Sequence, residues 1–308
     1  MRKVCLAILV LCAIAGAANA QQRVFVSAAH GDDTNPCSVT LPCRSFAHAI
    51  GLVFANGEIL ALDSGGYGPV SVTMGVSIVG PLGVEASVTQ SAAGQDGINI
   101  NAGSATVVLR GLSIFGLGTG NHGINIVAAG AVLVQSCNVT GFNANGINLA
   151  VTTATMLSVT NSALIQNTLN GVATSAISND LARFEIDHTR LENNGFAGLN
   201  SFQGSRGTIR DSFASGSSFG IAVQTMSPGQ TSLLHIENCT ATLNTDGIGA
   251  GGPSGSMETV RVSDTLIAHN TMTGVVSFDA DAHIWSRSNN TVEDNTSNGT
   301  FSDFFSAK

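Results

Sequence analysis

The segment Gly97-Ile98-Asn99-Ile100 recurs as Gly123-Ile124-Asn125-Ile126 and again as Gly146-Ile147-Asn148-Leu149. Five looser copies follow it: Gly171-Val172, Gly198-Leu199, Gly220-Ile221, Gly247-Ile248 and Gly274-Val275. The steps between these glycines are 26, 23, 25, 27, 22, 27 and 27 residues. A period of this size is typical of stacked supersecondary units that bury a core only together.

Three further columns appear when the repeats are aligned on the apolar residue that lies eleven to fourteen positions ahead of each glycine. The aligned residues are Leu109, Val134, Val159, Ile186, Ile209, Ile236 and Val262. Two positions later the residues are Gly111, Ser136, Asn161, His188, Asp211, Asn238 and Asp264, most of which tolerate a left-handed backbone. Five positions after the first column the residues are Ile114, Val139, Leu164, Leu191, Ala214, Ala241 and Ile267.

These columns predict three short strands in every repeat, with tight bends between them. A coil of this kind cannot bury its inner face until the next coil stacks on it. We therefore predict an all-β solenoid of three parallel sheets and about ten coils over residues 57–300. The insertions fall mostly between the glycine strand and the next apolar column, as in the segment 175–182, so loops are expected along one side.

The chain begins with the features of a secretory signal. Arg2 and Lys3 precede an apolar run over residues 4–18, and Ala18-Asn19-Ala20 supplies small residues for cleavage. The run is shorter than the roughly 20 residues that span a bilayer. We expect residues 1–20 to be removed and the mature protein to be secreted or periplasmic, without a membrane span and monomeric.

The charge of the mature chain argues against nucleic acid as a partner. Loss of residues 1–20 removes two of the 12 basic side chains and none of the 20 acidic ones, so the formal net charge becomes −10. The only remaining lysine is Lys308. Binding of nucleic acid needs a basic stripe that neutralises phosphates, and a polyanionic sugar would need a local arginine cluster.

Four cysteines remain in the mature chain. Cys37 and Cys43 are separated by five residues in an exported protein and are expected to form a disulfide; a zinc site lacks further ligands. Cys137 and Cys239 occupy one column but lie four coils apart, roughly 19 Å at the spacing of paired strands. A disulfide requires Cα atoms within about 7 Å, so we predict two buried free thiols.

Both ends of the solenoid need covers over their exposed strand edges. Residues 21–56 are expected to form an N-terminal strand, the cysteine loop and a capping helix. That helix is predicted over Arg44 to Ala55 and would end at Asn56-Gly57. Its apolar face comprises Phe46, Ala49, Ile50, Val53 and Phe54. The tail 301–308 and nearby aromatics would close the far end: Trp285, Phe301, Phe304 and Phe305.

The N-terminal motifs and the repeats together resemble bacterial pectin-lyase-like proteins. The motifs are Val24-Phe25-Val26-Ser27, Gly31-Asp32-Asp33-Thr34-Asn35-Pro36-Cys37, Pro42-Cys43-Arg44-Ser45-Phe46 and Ala49-Ile50. The resemblance covers residues 23 to about 300 and implies a right-handed parallel β-helix, an exported location and a bias toward carbohydrate. Members that cleave pectin use calcium-binding acids with a catalytic arginine or lysine, or clustered aspartates with Gly-His-Gly and Arg-Ile-Lys. Neither set occurs here, and Asn121-His122-Gly123 is the nearest approach.

A candidate ligand groove is predicted on the strands that carry the first apolar column. The residues on either side of that column point outward, because side chains alternate along a strand. The candidate residues are Glu185, Asp187, Arg210, His235, Glu237 and Arg261. In a carbohydrate groove a carboxylate and His235 would be available for proton transfer and the arginines for an acidic sugar. The alternative is a ladder of cross-strand ion pairs.

No cofactor is expected from the sequence, and no set of metal ligands is complete. Asp32-Asp33-Thr34-Asn35 offers hard oxygen ligands for calcium but also the residues of a turn. A second weak cluster consists of Asp279, Asp281 and His283.

Three functions remain open at this point. The favoured hypothesis is an exported scaffold that binds a polysaccharide or cell-surface glycan without complete catalytic machinery. One Trp and one Tyr argue against an extended aromatic platform. The alternatives are a polysaccharide lyase or glycoside hydrolase, and a structural or adhesive envelope protein.

Overall fold

The computed structural model describes residues 21–306, almost all of them in short strands or bends. The proposed signal segment 1–20 and Lys308 lie outside the described residues. The single helix among these residues is α1, Phe46–Ala49. The strands are β1 Gln21–Val26, β2 Val53–Ala61, β3 Gly65–Gly66, β4 Val70–Val72, β5 Val76–Val79, β6 Ala86–Thr89, β7 Ile98–Asn101, β8 Thr106–Arg110, β9 Leu112–Phe115, β10 Ile124–Ala128, β11 Ala131–Gln135, β12 Asn138–Thr140, β13 Ile147–Val151, β14 Thr155–Thr160, β15 Ala163–Ile165, β16 Asn170–Ala176, β17 Ala182–Asp187, β18 Arg190–Glu192, β19 Ala197–Ser201, β20 Ser205–Arg210, β21 Phe213–Ser215, β22 Phe219–Gln224, β23 Thr231–Glu237, β24 Thr240–Thr242, β25 Asp246–Gly251, β26 Met257–Ser263, β27 Leu266–Ala268, β28 Thr273–Ser277, β29 His283–Ser286, β30 Thr291–Glu293, β31 Ser297–Gly299 and β32 Asp303–Phe304.

The strands form three parallel sheets that run along the molecule. Sheet A has twelve strands in the order β1-β2-β5-β8-β11-β14-β17-β20-β23-β26-β29-β32. Sheet B has ten strands, from β3 and β6 through β27 to β30, and sheet C has ten, from β4 and β7 through β28 to β31. From β2 to β29 each strand pairs with the strand that lies three positions later in the chain, as β2 does with β5. The predicted all-β, three-sheet solenoid is confirmed.

The repeated tetrapeptides superpose on one another in the register that the sequence predicts. Ile124 lies opposite Ile98 on one side and Ile147 on the other, and all three are fully buried. The first apolar column stacks in the same way in sheet A, as at Val134, Val159 and Ile186. Each buried aliphatic side chain contributes roughly 1.5–3 kcal/mol, so the core is a continuous stack along the solenoid.

Single left-handed residues make the bend from sheet A to sheet B. The backbone φ angle is +52° at Ser136, +49° at Asn161, +47° at His188, +48° at Asp211 and +49° at Asp264. Small polar side chains and histidine adopt this conformation more readily than β-branched ones. The predicted bend column, including the assignment of His188 to the turn, is therefore confirmed.

Buried asparagines follow the bend from sheet B to sheet C and connect successive coils. The Asn194 Oδ1 accepts hydrogen bonds from the Asn167 backbone N–H at 3.1 Å and from its Nδ2 at 3.0 Å. The Asn194 Nδ2 donates to the Leu164 carbonyl at 3.0 Å. The same position in other coils is held by Ser217, Asn244, Asn270 and Asn295. This ladder satisfies polar groups of the bend that no strand pairing reaches.

The long capping helix predicted over Arg44 to Ala55 is wrong. Only one turn, Phe46–Ala49, is helical, and its Ser45 hydroxyl accepts the His48 backbone N–H. From Val53 onward the chain is strand β2, which pairs with β1. Backbone pairing to β1 outweighs the helical spacing of the apolar residues, and β-branched Val53 fits a strand well.

The turn that remains still covers the first coil. Phe46 is fully buried and stacks on Tyr67 with ring centroids 4.9 Å apart. At the far end Phe301 packs against the core, whereas Phe304 is 65% exposed. Trp285 lies within sheet A and not in a separate lid. Within residues 21–306, none of the helices has the length and apolar character needed to cross a membrane.

The cysteines behave as predicted. Cys37 and Cys43 form a disulfide with Cα atoms 4.6 Å apart. Cys137 and Cys239 are free and buried. Burial raises the pKa of Cys137 to about 11 and that of Cys239 to about 12, so neither thiol is ionised at neutral pH.

Reaction with a thiol reagent tests this arrangement in protein that begins at Gln21. We expect no labelling in the native state, because the two free thiols are buried and protonated and only the thiolate reacts. Denaturation should expose two thiols, and denaturation with reductant should expose four. Native labelling of either cysteine would show that the coils are not packed as described.

The asparagine ladder gives a stability prediction. Asn194→Ala should leave the Leu164 carbonyl and both Asn167 donors unpaired in the core, and should lower the free energy of unfolding by about 3 kcal/mol. Asn143→Ala is the matched control, because Asn143 is exposed and its side chain makes no hydrogen bond among residues 21–306; its effect should stay within about 0.5 kcal/mol. Urea denaturation measures both, and equal midpoints would argue against the ladder.

Candidate functional site

The predicted groove residues lie on the outer face of sheet A, in two columns. In the first, Glu185 lies opposite Thr208, which lies opposite His235, and Arg261 follows on the next strand. In the second, Asp187, Arg210 and Glu237 follow one another on β17, β20 and β23. The sequence therefore predicted the neighbours in both columns correctly.

Arg210 pairs with the acids of the preceding strand. Its guanidinium lies 3.0 Å from the Glu185 carboxylate and 3.4 Å from that of Asp187. Partial burial tends to raise the pKa of Asp187, but the hydrogen bond from His188 and the charge of Arg210 lower it overall. Glu237 lies opposite Arg210 on the following strand without an ion pair among the described residues. These acids serve largely as partners for arginine.

His235 and Arg261 form a second group with Trp285. The Arg261 Nη1 lies 3.4 Å from His235 Nε2, and its guanidinium lies 5.3 Å from the centre of the Trp285 ring. Burial, together with the charges of Arg261 and Arg206, lowers the pKa of His235 despite the opposing effect of Glu237. Because a guanidinium can only donate, Nε2 of a neutral His235 accepts from Arg261 and its Nδ1 is the donor, so His235 is suited to binding an oxygen ligand.

Two arginines that the sequence analysis did not single out lie beside His235. Arg183 and Arg206 occupy directly opposite positions on β17 and β20, and both side chains are exposed. Arg206 contacts Asp180 at 2.8 Å. Both arginines and His235 line a depression of about 430 Å³, and its other lining residues are Met156, Phe184, Gly207, Thr208 and Leu233. Alternation along the strand, extended two residues toward the N terminus, would have found both arginines.

A glycine, Gly207, lies beneath the depression at a position where the core has no room for a side chain. Gly207 lies opposite Phe184 on the neighbouring strand, and a Cβ at Gly207 would overlap the Phe184 ring. The buried ring therefore fills the space below the glycine. Gly207 is at an inward position between outward Arg206 and Thr208, and Arg183, Arg206 and His235 line the open area on the outer face.

A second polar surface lies on the outer face of sheet C, where Asp96 is its centre. Its carboxylate accepts hydrogen bonds from Asn121 Nδ2 at 3.1 Å, the His122 backbone N–H at 3.1 Å and Asn125 Nδ2 at 2.9 Å. Asn148 Nδ2 continues the row by donating to Asn125 Oδ1 at 2.9 Å. Asp96 also borders a cavity of about 350 Å³ beside Gln90, Gln95 and Asn99.

His122, the nearest approach to a catalytic histidine in the sequence, belongs to the same surface. Burial lowers its pKa, although the charge of Asp96 acts in the opposite direction. The Asn145 backbone N–H donates to His122 Nδ1 at 3.3 Å. The imidazole therefore has its lone pair occupied, and Asp96 accepts three protein N–H groups, so neither is a free general base.

Farther along sheet C three phenylalanines form a cluster that the low aromatic content did not suggest. Ring centroids of Phe196 and Phe219 are 5.4 Å apart, and those of Phe219 and Phe278 are 5.9 Å apart. A Cβ at Gly249 would touch the Phe219 and Phe278 rings. Ile248 points into the core, so the next residue, Gly249, points outward. The rings that its Cβ would touch therefore lie on the outside of the sheet.

The oxygen-rich segment near the N terminus forms a turn. Asp32 Oδ1 accepts the Thr34 backbone N–H at 2.8 Å and its hydroxyl at 2.7 Å. Asp33 accepts the Arg44 and Ser45 backbone N–H groups and the Ser45 hydroxyl. Both carboxylates thus hold the loop together.

The second weak cluster predicted from the sequence, Asp279, Asp281 and His283, is divided between two parts of the surface. Asp279 Oδ1 accepts the backbone N–H groups of Asp281 and Ala282 at 2.9 Å. The ring of His283 instead lies 6.1 Å from that of Trp285 on sheet A. The three side chains therefore do not converge on one point.

Comparison with known proteins supports the architecture. Residues 152–303, about half of the chain, match the family model described as "Right handed beta helix region". No curated protein sequence matches this chain.

Several solved structures are similar in fold. Pectate lyase Pel9A superposes with a TM-score of 0.64 at 12% identity, over 92% of this chain and 80% of that one. The GH136 lacto-N-biosidase from Eubacterium ramulus gives 0.56 at 10%, over 93% and 67%, and the mannuronan C-5 epimerase AlgE4 A-module from Azotobacter vinelandii gives 0.50 at 12%, over 85% and 93%. Together with the three parallel sheets, these findings identify the chain as a right-handed parallel β-helix repeat protein.

Proposed function

We propose that this chain is an exported glycan-binding protein and that the outer depression of sheet A binds carboxylate groups of an acidic polysaccharide. The disulfide and the signal-like segment 1–20 support export. The observation that carries the proposal is the direct juxtaposition of Arg183 and Arg206 on neighbouring strands. Like charges directly opposite each other destabilise a sheet. Asp180 offsets part of this repulsion, because its carboxylate contacts Arg206 and its carbonyl accepts a hydrogen bond from Arg183, and an anionic ligand would offset more.

The other groups at the depression suit the same ligand. Arg261 and neutral His235 add hydrogen-bond donors on the next two strands. Leu233 and Met156 supply apolar contacts beside them. Because successive strands are about 4.8 Å apart, a chain of sugars lying along the solenoid axis would present its carboxylates to one coil after another. Guanidinium groups bind carboxylates with bidentate, charge-assisted hydrogen bonds.

Binding is favoured over catalysis because the titratable groups nearby are already engaged. Glu185 and Asp187 are paired with Arg210, and the lone pair of His235 faces Arg261. A general base needs a free lone pair within reach of its substrate. The site residues predicted from the sequence therefore act in this proposal as supports: Arg210 neutralises the two acids, and Glu237 modulates His235.

A polysaccharide lyase or hydrolase is the second candidate, and the feature that favours it is the Asp96 cavity on sheet C. Asp96 borders a cavity that is lined in part by the amides of Gln90, Gln95 and Asn99, a setting suited to sugar hydroxyls. His122 adjoins it through the hydrogen bond from its backbone N–H to Asp96. For these residues to act as acid or base, they would have to exchange a protein hydrogen bond for one to substrate. Release of reducing ends or unsaturated sugars would distinguish this candidate from simple binding.

Binding to polygalacturonate and alginate, with neutral dextran as a reference, tests the proposal. We expect retention of both acidic polymers and no retention of dextran. The double change Arg183→Gln and Arg206→Gln should weaken binding by on the order of 100-fold, since each charge-assisted hydrogen bond is worth about 1.5–3 kcal/mol. Calorimetric titration and assay of released sugars should be done on the same samples.

The matched control removes the same charge elsewhere. Arg190 contacts Glu192 on sheet B, and Arg110 contacts Gln135 at the other end of sheet A. Arg110→Gln with Arg190→Gln should bind like the parent protein. Equal weakening in both double variants would show that the loss of net charge alone explains the effect. Unchanged binding in the Arg183 and Arg206 variant would show that the depression is not the binding site.

The pH dependence of binding gives a second test. Because the pKa of His235 is lowered, the imidazole is neutral at any pH above 6.5, the ordinary pKa of histidine. A bound carboxylate would favour the protonated form of His235. Binding therefore takes up a proton, and affinity should rise as the pH falls from about 7.5 to about 5, above the range where sugar carboxylates are protonated. In His235→Gln the rise should disappear while arginine-dependent binding remains. A rise of the same size in both proteins would assign it to another group.

A further inference from the structure

The inner corner between sheet C and sheet A carries a row of three pairs of polar side chains, and each pair joins one coil to the next. The Thr174 hydroxyl lies 3.0 Å from the Ser205 hydroxyl, and the Ser201 hydroxyl lies 3.0 Å from that of Ser232. In the third pair the Thr225 hydroxyl donates to the carboxylate of Glu258. Ser205, Ser232 and Glu258 occupy one column of sheet A. An acid thus stands where the two preceding coils have serine.

Glu258 is fully buried, and only one of its carboxylate oxygens has a partner. Oε1 accepts the Thr225 hydroxyl, whereas Oε2 is inaccessible and without a hydrogen-bond partner among residues 21–306. An ionised carboxylate in a protein interior is strongly unfavourable unless it is paired or bound to a metal. The two hydroxyl pairs of the preceding coils show that the polar groups at this corner can find hydrogen-bond partners without a charged side chain.

Oxygen atoms converge around Gly252, next to this carboxylate. Val223, Ala250 and Ser277 are register partners, so Thr225, Gly252 and Asp279 follow at equivalent places in three coils. A Cβ at Gly252 would overlap Glu258 Oε1, Thr225 Oγ1 and Ser256 Oγ. Asp279 Oδ2 accepts the Gly252 backbone N–H at 2.6 Å. Three side-chain oxygens thus converge beside the Cα atom of Gly252, and the Asp279 carboxylate binds the backbone of the same residue.

The hydroxyls beside Gly252 have lone pairs available. Ser256 donates its proton to the Pro253 carbonyl at 2.7 Å, and Thr225 donates to Glu258. Asp279 Oδ1 is occupied by two backbone donors, but its negative charge acts at the same place. Nitrogen and sulfur ligands are absent from this group, and a donor set of oxygens alone selects hard cations.

We propose that Glu258, Thr225 and Ser256 bind a calcium ion at the corner between sheets C and A, with Asp279 contributing charge. The unpartnered Oε2 of Glu258 would then be a ligand. Calcium accepts irregular sets of carboxylate, hydroxyl and carbonyl oxygens, whereas magnesium requires near-octahedral geometry and retains its waters. The site is separate from the arginine depression, because on strand β26 Glu258 points into the solenoid and Arg261 points outward.

Calcium binding to the protein beginning at Gln21 tests the site without any variant. After treatment with EDTA, equilibrium dialysis against CaCl₂ should give one ion per chain. Calcium in excess should raise the thermal midpoint by on the order of 5 °C over the EDTA-treated protein, and magnesium at the same concentration should not. A stoichiometry of zero together with equal midpoints would overturn the proposal and leave an enclosed water as the partner of Glu258.

Two variants locate the ion. Glu258→Gln removes the charge at constant shape, and Gly252→Ala places a methyl group among the oxygens; both should abolish the calcium-dependent shift. Asp32→Asn is the control, because that acid lies in the exposed N-terminal turn, and it should retain the full shift. Calcium dependence that survives in Glu258→Gln, or is lost in Asp32→Asn, would contradict the site. If Glu258→Gln does not fold, Gly252→Ala and the stoichiometry of the parent protein decide.

Discussion

Backbone pairing between equivalent strands of successive coils is the constraint on which this structure depends. No coil has a core of its own, so each inward side chain is buried by the coils before and after it. A slip of one residue in any strand would turn its aliphatic side chains to solvent. The left-handed residue at each bend and the asparagine ladder prevent such slips, because both fix the start of the next strand.

The same constraint leaves the outward positions free to vary, and this is why they carry information about function. Most charged side chains there satisfy one another, as Arg190 does with Glu192 and Arg210 with Asp187. Arg183 and Arg206 differ in that two like charges face each other across adjacent strands and share one acidic residue, Asp180. One carboxylate for two guanidinium groups leaves the pair with an excess positive charge, which an anionic ligand would offset.

The sequence was sufficient for the repeat, the bends and the register because each depends on a local backbone requirement that recurs in every coil. The N-terminal helix failed for the opposite reason. The apolar residues from Phe46 to Phe54 match a helix period, but pairing of Val53–Ala61 with β1 is a contact between distant segments. Local periodicity contains no information about such a partner.

The candidate site was predictable to the level of neighbouring columns but not of individual contacts. Register places Asp187 and Glu237 on either side of Arg210, and alternation alone cannot say which acid the guanidinium chooses. Glu258 is different, because it lies two residues before buried Val260 and its inward direction follows from the same alternation. An acid at an inward position of a repeat was thus a detectable signal.

The inner and outer features of sheet A meet on one strand. Glu258 begins the inward row of β26, and Arg261, three residues later, points outward between His235 and Trp285. Glu258 has one carboxylate oxygen without a partner, whereas the serines at the same position of the two preceding coils are paired. A bound cation would give that oxygen a partner on the strand whose outward residues include Arg261. Alternation along one strand thus brings together the polar corner inside the solenoid and the basic surface outside it.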